Sequence, residues 1–421
     1  MSGRCTGRPR RSLSSAALLL FTTAILASCR AGDGYPQTTF RPVSEFGELL
    51  NQVFYNTFWW TMIILILVIV LILFAAIRFR EQPGAPQPAQ IHGNTKLEIA
   101  WTIVPALIIV FMGVPTVRAV FDTQRAPPAD ALVVEVIGHQ WWWEFRYPEY
   151  DIVTANQLWV PVGRPVSLEM HSADVIHSFW IPRIGGKRDV NPLPRRPEGV
   201  APKHSNYLLF TVEEPGHYPG QCAEYCGEAH AIMAMSIMAV EPAAFEQWVR
   251  QVKGEQPGAA AAAGGASAAV ADTADAGQPE PGLPAALTAV PAAQQRATIG
   301  QMPVPTGAGN PFVAPLPDSV LYADGQRIFL SAACVACHTV ANTTAGGLLG
   351  PNLTLFGSRP LIGAGAMENT QENLVEWIRN PQRIKPGTMM PGTTTAGGGM
   401  PPTGLTDQEV RAVAAYLSSL K

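Results

Sequence analysis

The amino-acid sequence predicts a multi-domain membrane protein with three parts: a two-helix transmembrane hairpin, an antiparallel β-sandwich and a small all-α domain. Two long uncharged runs predict the hairpin. Short segments with alternating apolar residues predict the sandwich, and apolar residues at helical spacing near the C-terminus predict the third part. Of the 421 residues, 47% are hydrophobic and 14% are charged, so the chain is too apolar to be wholly soluble.

The N-terminus has the pattern of a secretory signal. An Arg-rich start, MSGRCTGRPRR, precedes an apolar run that ends in LASC. This tetrapeptide resembles a bacterial lipobox, which predicts a lipoprotein-type signal peptide over residues 1–28 and a lipid anchor on Cys29. Cleavage there would discard Cys5. An ordinary small-residue cleavage site or an uncleaved anchor is the alternative.

Residues 29–125 are predicted to contain the hairpin, with spans at about 57–78 and 98–120. The first run, FWWTMIILILVIVLILFAAI, is about 20 residues long, which is the length needed to cross a hydrocarbon core of roughly 30 Å. Arg78 and Arg80 follow it. Because positive residues favour the cytoplasmic side, the loop is predicted to face the cytoplasm and both outer ends the opposite side.

The remaining chain divides by pattern into three segments. ALVVEVIG, PVSLEMHS and NYLLFTVEE alternate apolar and polar residues, which predicts the sandwich over residues 126–250. Residues 251–314 are rich in Ala, Gly and Pro with almost no aromatic residues, which predicts a flexible linker. Helical spacing returns over residues 315–421, the predicted α-helical domain.

The charge of the chain argues against a nucleic-acid partner, and the positions of its cysteines indicate metal-binding motifs. The net charge is −3, and beyond the N-terminus no block of Lys or Arg stands out, so no nucleic-acid partner is expected. Six cysteines in an exported chain would ordinarily suggest disulfides. Four of them lie instead in two motifs that contain other metal-binding residues.

The first motif is QCAEYCGEAHAIM, which concentrates thiols, an imidazole and a thioether in one short loop. These soft donors suit copper better than calcium or magnesium. A second His must come from HSADVIHSFWIP, which offers His171 and His177. An isolated Cys pair is also typical of a disulfide or a structural zinc site, but the full string favours copper. The donors in the loop are Cys222, Cys226, His230 and Met233.

The second motif is CVACH, whose C-x-x-C-H form attaches a c-type haem through thioethers from Cys334 and Cys337, with His338 as an iron ligand. A redox C-x-x-C or a zinc knuckle is the alternative. The sixth ligand is expected to be a Met, because thioether ligation raises the iron potential. KPGTMMPG and GGGMPPTGL offer Met390 and Met400.

The motifs together resemble a known family. GHQWWWEFRYP, HSADVIHSFW and QCAEYCGEAHAIM, across roughly residues 45–250, are similar to the cupredoxin-like domain of cytochrome c oxidase subunit II, which carries a dinuclear copper (CuA) centre. DGQRIFLSAACVACH, GPNLTLFG and the final helix resemble class I cytochrome c. The resemblance implies an electron-input subunit that passes electrons from haem c to CuA and on to subunit I, where oxygen is reduced to water with proton translocation.

The resemblance also implies roles for single residues. It implies no ligand role for His171. It also implies that the Glu224 side chain binds a magnesium ion shared with subunit I, and carboxylate oxygen suits this hard cation. Trp141 matches the tryptophan through which electrons enter, although aromatic triplets more often serve packing. The implied copper ligands are His177, Cys222, the Glu224 carbonyl, Cys226, His230 and Met233.

Two further positions follow from the same resemblance. Glu98 matches a carboxylate at the mouth of a proton path into subunit I, with an interfacial charge as the alternative. Met390 lies where fused oxidase domains carry their axial Met, and Met389 lacks the following Pro. The stretch GTTTAGGG is an insertion relative to the family, so Met400 stays open as the axial ligand.

The implied setting is a bacterial cytoplasmic (inner) membrane, with the copper and haem domains on the periplasmic face. Implied partners are subunits I and III, membrane lipid, and either soluble cytochrome c or an upstream quinol-oxidising complex as donor. A nitrous oxide reductase needs more than the eight histidines present, and quinol oxidase subunits lack the Cys pair. A tethered electron carrier or copper-delivery protein is the remaining alternative.

Overall fold

The computed structural model describes residues 35–80, 84, 90, 93–193, 206–254 and 319–421. The predicted signal peptide with Cys5 and Cys29 lies outside the described residues, as does most of the predicted linker. The lipid anchor and the tether therefore stay predictions.

Two long helices form the predicted hairpin: α1 (Glu45–Arg78) and α2 (Thr95–Asp122). Both are long and apolar enough to cross a membrane, and their apolar stretches are exposed along their length. They contact each other where Trp60 stacks on Phe111, with ring centroids 6.0 Å apart. The chain therefore carries an apolar helical anchor.

Helix α1 begins well before the predicted first span because its first turns belong to the sandwich. The Ser44 side chain caps the helix by accepting a hydrogen bond from the Gly47 amide at 3.1 Å. Phe46 is buried in the sandwich core, and the Glu45 carboxylate accepts a hydrogen bond from the Thr211 amide at 2.8 Å. The anchor is thereby fixed to the domain that follows it.

Ten strands form the sandwich domain, in two five-stranded sheets with orders β3-β2-β1-β5-β8 and β4-β10-β9-β6-β7. The chain crosses between the sheets several times, so β1 pairs with β5 and β4 with β10 in parallel, where a wholly antiparallel sandwich was predicted. The strands are β1 Leu132–His139, β2 Trp142–Tyr147, β3 Ile152–Ala155, β4 Gln157–Pro161, β5 Pro165–Ser172, β6 His177–Trp180, β7 Arg188–Val190, β8 Asn206–Thr211, β9 Gly216–Cys222 and β10 Ala234–Val240.

Large aromatic side chains fill the space between the sheets, and Trp143 and Phe179 are almost fully buried. The buried Tyr147 hydroxyl donates to the Trp159 carbonyl at 2.9 Å and accepts from its amide at 2.8 Å, which ties β2 to β4. Helix α3 (Pro242–Val252) closes the core, because its Trp248 stacks on Trp159.

The C-terminal domain, residues 319–421, is built around two crossed helices, the first and the last of the domain. They approach so closely that a Cβ at Gly325 would lie 2.0 Å from the Ala412 carbonyl oxygen. Tyr416 packs against Phe329 in the core. The elements are α4 Ser319–Ser331, α5 Cys334–Cys337, a 3-10 turn Phe356–Ser358, β11 Leu361–Ile362, β12 Met367–Glu368, α6 Gln371–Arg379, α7 Pro381–Ile384 and α8 Asp407–Ser419.

The C-terminal domain lies against the sandwich domain. The Ala234 amide at the start of β10 donates to the Ala364 carbonyl at 2.9 Å. At the other side of the contact, the Asn342 side chain donates to the Gly254 carbonyl at 3.3 Å. The contact between the two domains therefore extends from the start of β10 to the residues that follow α3.

Candidate metal centres and the contact between them

The predicted copper donors converge in the loop between β9 and β10. Cys222 ends β9, and its amide donates to the Met233 carbonyl at 2.9 Å, which closes the loop. His177 begins β6, which pairs with β9. The separations are 3.8 Å between the two Sγ atoms, 3.9 Å from Cys222 Sγ to His177 Nδ1, 3.5 Å from Cys226 Sγ to His230 Nδ1, 3.7 Å from Cys226 Sγ to Met233 Sδ and 3.3 Å from Cys222 Sγ to the Glu224 carbonyl.

This cluster is enclosed by protein. Cys222, Cys226, Met233 and His177 are each at most 5% exposed, and both thiols are free. In the metal-free chain, a hydrogen bond from the Cys226 thiol lowers the pKa of Cys222, while the same contact raises the pKa of Cys226. A metal that binds both sulfurs as thiolates must displace the thiol protons, so its affinity depends on pH.

Asp174, which the sequence analysis missed, orients one predicted ligand. Its Oδ1 lies 2.8 Å from His177 Nε2, so the other ring nitrogen, Nδ1, points toward Cys222. Burial alone would raise the pKa of Asp174, but hydrogen bonds from His177 and from the Gln140 amide hold it below its ordinary value. The available sequence signal was an acidic residue three positions before His177.

His171 is not among the side chains that converge in this cluster. It sits on β5 opposite Ile137 of β1, in the sheet that does not contain the copper loop. Burial lowers its pKa, and its Nδ1 atom has no hydrogen-bond partner in the structure.

Trp141 touches both domains. It is 7% exposed, and its indole Nε1 donates to the Cys226 carbonyl at 3.0 Å. On its other side, a Cβ at Gly387 of the C-terminal domain would lie 2.6 Å from Trp141 Cη2. Trp142 instead stacks on His139, and Trp143 is a core residue packed edge-on against Phe179, so the aromatic triplet serves three different contacts.

The C-x-x-C-H motif forms one helical turn, α5, that ends at His338. The His338 Nδ1 lies 2.8 Å from the Pro351 carbonyl, which makes Nδ1 the donor and leaves Nε2 for a metal. Gly350 allows this close approach, because a Cβ there would lie 2.8 Å from His338 Cε1. Burial raises the pKa of the Cys334 and Cys337 thiols and lowers that of His338.

The three candidate methionines have different surroundings. Met390 packs against the core of the C-terminal domain, whereas Met389 is 53% exposed. Met400 is half-buried in a turn that pairs Gly397 with Met400. The predicted insertion, GTTTAGGG, ends directly before Met400 and folds back onto the Met390 backbone, since a Cβ at Gly397 would lie 2.5 Å from the Met390 carbonyl oxygen.

The two predicted carboxylates have local partners. Glu98 lies in the first turn of α2, where its Oε1 accepts a hydrogen bond from the Asn94 amide at 3.3 Å. Glu224 has its carboxylate 3.2 Å from Lys187 Nζ, and both side chains are partly exposed.

Three family models match the chain in order. "Cytochrome C oxidase subunit II, transmembrane domain" matches residues 42–119, "Cytochrome C oxidase subunit II, periplasmic domain" matches residues 151–240, and "Cytochrome c" matches residues 322–421. They correspond to the hairpin, the sandwich domain and the C-terminal domain described above.

Two curated relatives match most of the chain. Cytochrome c oxidase subunit 2 of Alkalihalophilus pseudofirmus is 31% identical over 350 residues, which cover 82% of this chain and 79% of the relative. The subunit of that name from Bacillus subtilis is 27% identical over 421 residues, which cover 96% of this chain and 97% of the relative. Among solved structures, the periplasmic domain of subunit II of cytochrome oxidase from Bradyrhizobium japonicum is 29% identical, with a TM-score of 0.27, and the match covers 31% of this chain and 99% of that one.

The family models and the long relatives agree with the predicted copper and haem motifs and with the three-part fold. This chain therefore belongs to the cytochrome c oxidase subunit II family, in the form that carries a C-terminal cytochrome c domain and provides electron input to a haem-copper oxidase.

Proposed function

We propose that electrons enter this chain at its C-terminal domain and pass by way of Trp141 to a dinuclear copper centre in the sandwich domain. From there they reach subunit I, where oxygen is reduced to water and protons are translocated. The observation that carries the proposal is the position of Trp141, whose indole bonds the Cys226 carbonyl and also contacts Gly387 of the C-terminal domain. A c-type haem and a thiolate-bridged copper pair each supply one-electron redox chemistry when bound.

Six groups in the sandwich domain would hold the copper pair. The set combines two thiolates with imidazole, thioether and carbonyl donors, which suits copper and exceeds the four ligands of a structural zinc site. Four of the six residues, His177, Cys222, Cys226 and Met233, are buried, which would limit the solvent rearrangement that accompanies a change of charge. The groups are His177, Cys222, the Glu224 carbonyl, Cys226, His230 and Met233.

The C-terminal domain would hold haem c through four side chains. Cys334 and Cys337 supply the thioether links, and His338 is the proximal iron ligand, held by the Pro351 carbonyl. We infer that Met390 is the sixth ligand, because it packs against the domain core and matches the position of the axial Met in fused oxidase domains.

The hairpin would place both domains on the periplasmic face of the bacterial inner membrane. Arg78 at the end of α1 favours a cytoplasmic loop. Subunits I and III are the proposed partners in the membrane, with soluble cytochrome c or a quinol-oxidising complex as the donor. The predicted linker, residues 251–314, would keep the haem at high effective concentration near Trp141.

Two further roles rest on the family resemblance. Glu98 would lie at the mouth of a proton path into subunit I, and Glu224 would bind magnesium shared with that subunit. In this chain alone, Glu98 caps α2 through Asn94 and Glu224 pairs with Lys187. The Glu224 role therefore requires that subunit I displace Lys187.

The test is Cys222→Ser in the assembled oxidase. We expect loss of the copper optical and electron paramagnetic resonance signals and loss of oxygen consumption, while haem c stays reducible. Met235→Leu is the control, because Met235 is equally buried two residues after Met233 and contributes no proposed ligand. Retention of copper and of oxidase activity in Cys222→Ser would refute the proposal.

A further inference from the structure

Lys385 is a buried cation at the contact between the two domains. It follows α7 in the C-terminal domain and is 3% exposed. Its Nζ donates to the Gly363 carbonyl of its own domain at 2.8 Å. It also donates to two carbonyls of the sandwich domain, at 2.5 Å to Trp141 and 2.8 Å to Ile232.

This geometry depends on contact between the domains. An ammonium group has three hydrogens, and the three carbonyls accept one each. If the domains separate, only the Gly363 carbonyl of the three stays beside Lys385. Burial of a cation is costly unless it is hydrogen-bonded, and here all three hydrogen bonds go to backbone carbonyls. The carbonyls therefore stabilise the charged group in one relative orientation of the domains.

The two sandwich carbonyls belong to the copper loop and its neighbour. Trp141 bonds the Cys226 carbonyl through its indole, and Ile232 directly precedes the proposed ligand Met233. Lys385 is also two residues before Gly387, which lies against the Trp141 ring. Lys385 therefore binds the copper loop and Trp141 close to the point where the segment that leads to Met390 contacts the Trp141 ring.

A second contact fixes the same orientation. The Ala234 amide donates to the Ala364 carbonyl at 2.9 Å, and Ala364 directly follows Gly363, which accepts from Lys385. Two contacts therefore join the turn at Gly363 to the start of β10. One is the Ala234 amide, and the other is Lys385, which binds both the Gly363 and the Ile232 carbonyls.

We propose that Lys385 is a positioning residue for electron transfer: by binding the Trp141 and Ile232 carbonyls, it holds the haem-bearing domain with its Met390 segment against Trp141. This inference rests on the proposed function and adds the device that sets the docking orientation. Its partner surface is the copper loop of the same chain.

The experiment compares Lys385→Met with the unchanged chain in the assembled oxidase. Haem c is reduced by a light pulse, and electron arrival at the copper pair is followed optically. We expect the intramolecular rate to fall on the order of tenfold or more, because small displacements of reacting partners cost large factors in rate. Optical spectra and reduction potentials of both centres should stay unchanged. The matched control is Arg411→Met, an exposed cation on the same domain.

Hydrogen exchange separates positioning from folding. In Lys385→Met, exchange should accelerate in the peptide that contains Ala234, whose amide bridges the domains, and stay unchanged in α8. If α8 also exchanges faster, Lys385→Gln decides, because it keeps a donor for Gly363 and cannot satisfy three carbonyls. Lys385→Gln should then show slow electron transfer from haem to copper, while the α8 amides exchange as slowly as in the unchanged chain.

Two outcomes would overturn the inference. The first is an unchanged haem-to-copper transfer rate in Lys385→Met and Lys385→Gln with both centres intact, and the second is an equal fall in that rate in Arg411→Met. A failure of the proposed function is distinguishable, because the unchanged chain would then show no transfer from haem to copper at all.

Discussion

At the scale of the residue, the copper site depends on side chains that bind no metal. Asp174 accepts from His177 Nε2 at 2.8 Å and from the Gln140 amide at 2.7 Å, so it joins the ligand to the loop that carries Trp141. Such partners fix the tautomer and the ring orientation of a metal-binding His.

Asp174→Ala should therefore weaken copper binding by roughly 10- to 100-fold, the usual cost of losing such a partner. Competition dialysis against a copper chelator, followed by metal analysis, measures the change. Asp130→Ala is the control, since Asp130 is exposed and distant in sequence from the copper loop. Equal copper affinity in both variants would show that His177 needs no orienting carboxylate.

The axial ligand gives a second prediction for single residues. Met390→Ala should remove the ferric absorption band of iron–thioether ligation and lower the haem potential by a sizeable part of the roughly 0.8 V range that axial ligands span. Met400→Ala should change neither quantity, because Met400 directly follows the predicted insertion and lies in a turn with Gly397. Redox titration of the two variants checks this, and the reverse pattern would assign the ligand to Met400.

The sequence indicated four of the proposed copper donors because they lie in one loop, and the family resemblance supplied His177 and the Glu224 carbonyl. Lys385 was not predictable in this way. Its partners are backbone carbonyls, which any residue supplies, and Trp141 lies 244 positions away in the chain. For Asp174, the sequence shows only an acidic residue three positions before His177, and the structure was needed to show that its carboxylate contacts the His177 ring.

At the scale of the element, the hairpin of β1 and β2 contains a buried carboxylate. Glu144 is 3% exposed, lies 3.0 Å from His139 and pairs with Arg146. Burial raises the pKa of Glu144, but these hydrogen bonds and the Arg146 charge outweigh it, so the pKa lies below its ordinary value of 4.5. The folded state therefore prefers ionised Glu144 more than the unfolded state does.

Stabilisation by ionised Glu144 is fully present above pH 4.5 and is lost as the pH falls through the lowered folded pKa. Glu144→Gln should cost about 1 kcal/mol or more of unfolding free energy at neutral pH, and the difference should shrink below pH 4.5. Urea unfolding of the metal-free chain, followed by tryptophan fluorescence, measures it. The exposed control Glu213→Gln should show little difference at any pH, and a pH-independent Glu144→Gln difference would contradict this account.

Elements were predicted well where their own pattern decides them. Alternation located β1, β5 and β8, and hydrophobic length located both long helices. The early start of α1 and the parallel pairs β1–β5 and β4–β10 were not predicted, because both arise from packing between distant segments. Local periodicity contains no information about which strand becomes a neighbour.

At the scale of the whole molecule, the sequence left open how the C-terminal domain sits on the sandwich domain. The structure brings the segment from Lys385 to Met390 to the copper loop, with Trp141 between them. The proposed linker would keep the two domains at high effective concentration, and the contact sets their orientation. Electron input through a single chain follows from this arrangement.

The most direct test of this account is a metal analysis combined with pulse reduction of the full chain in its oxidase, followed at haem and copper wavelengths. The account predicts two coppers and one haem c per chain, with electrons passing from haem to copper at a rate independent of protein concentration. Zinc or a disulfide at Cys222 and Cys226, or transfer whose rate rises with concentration, would contradict it.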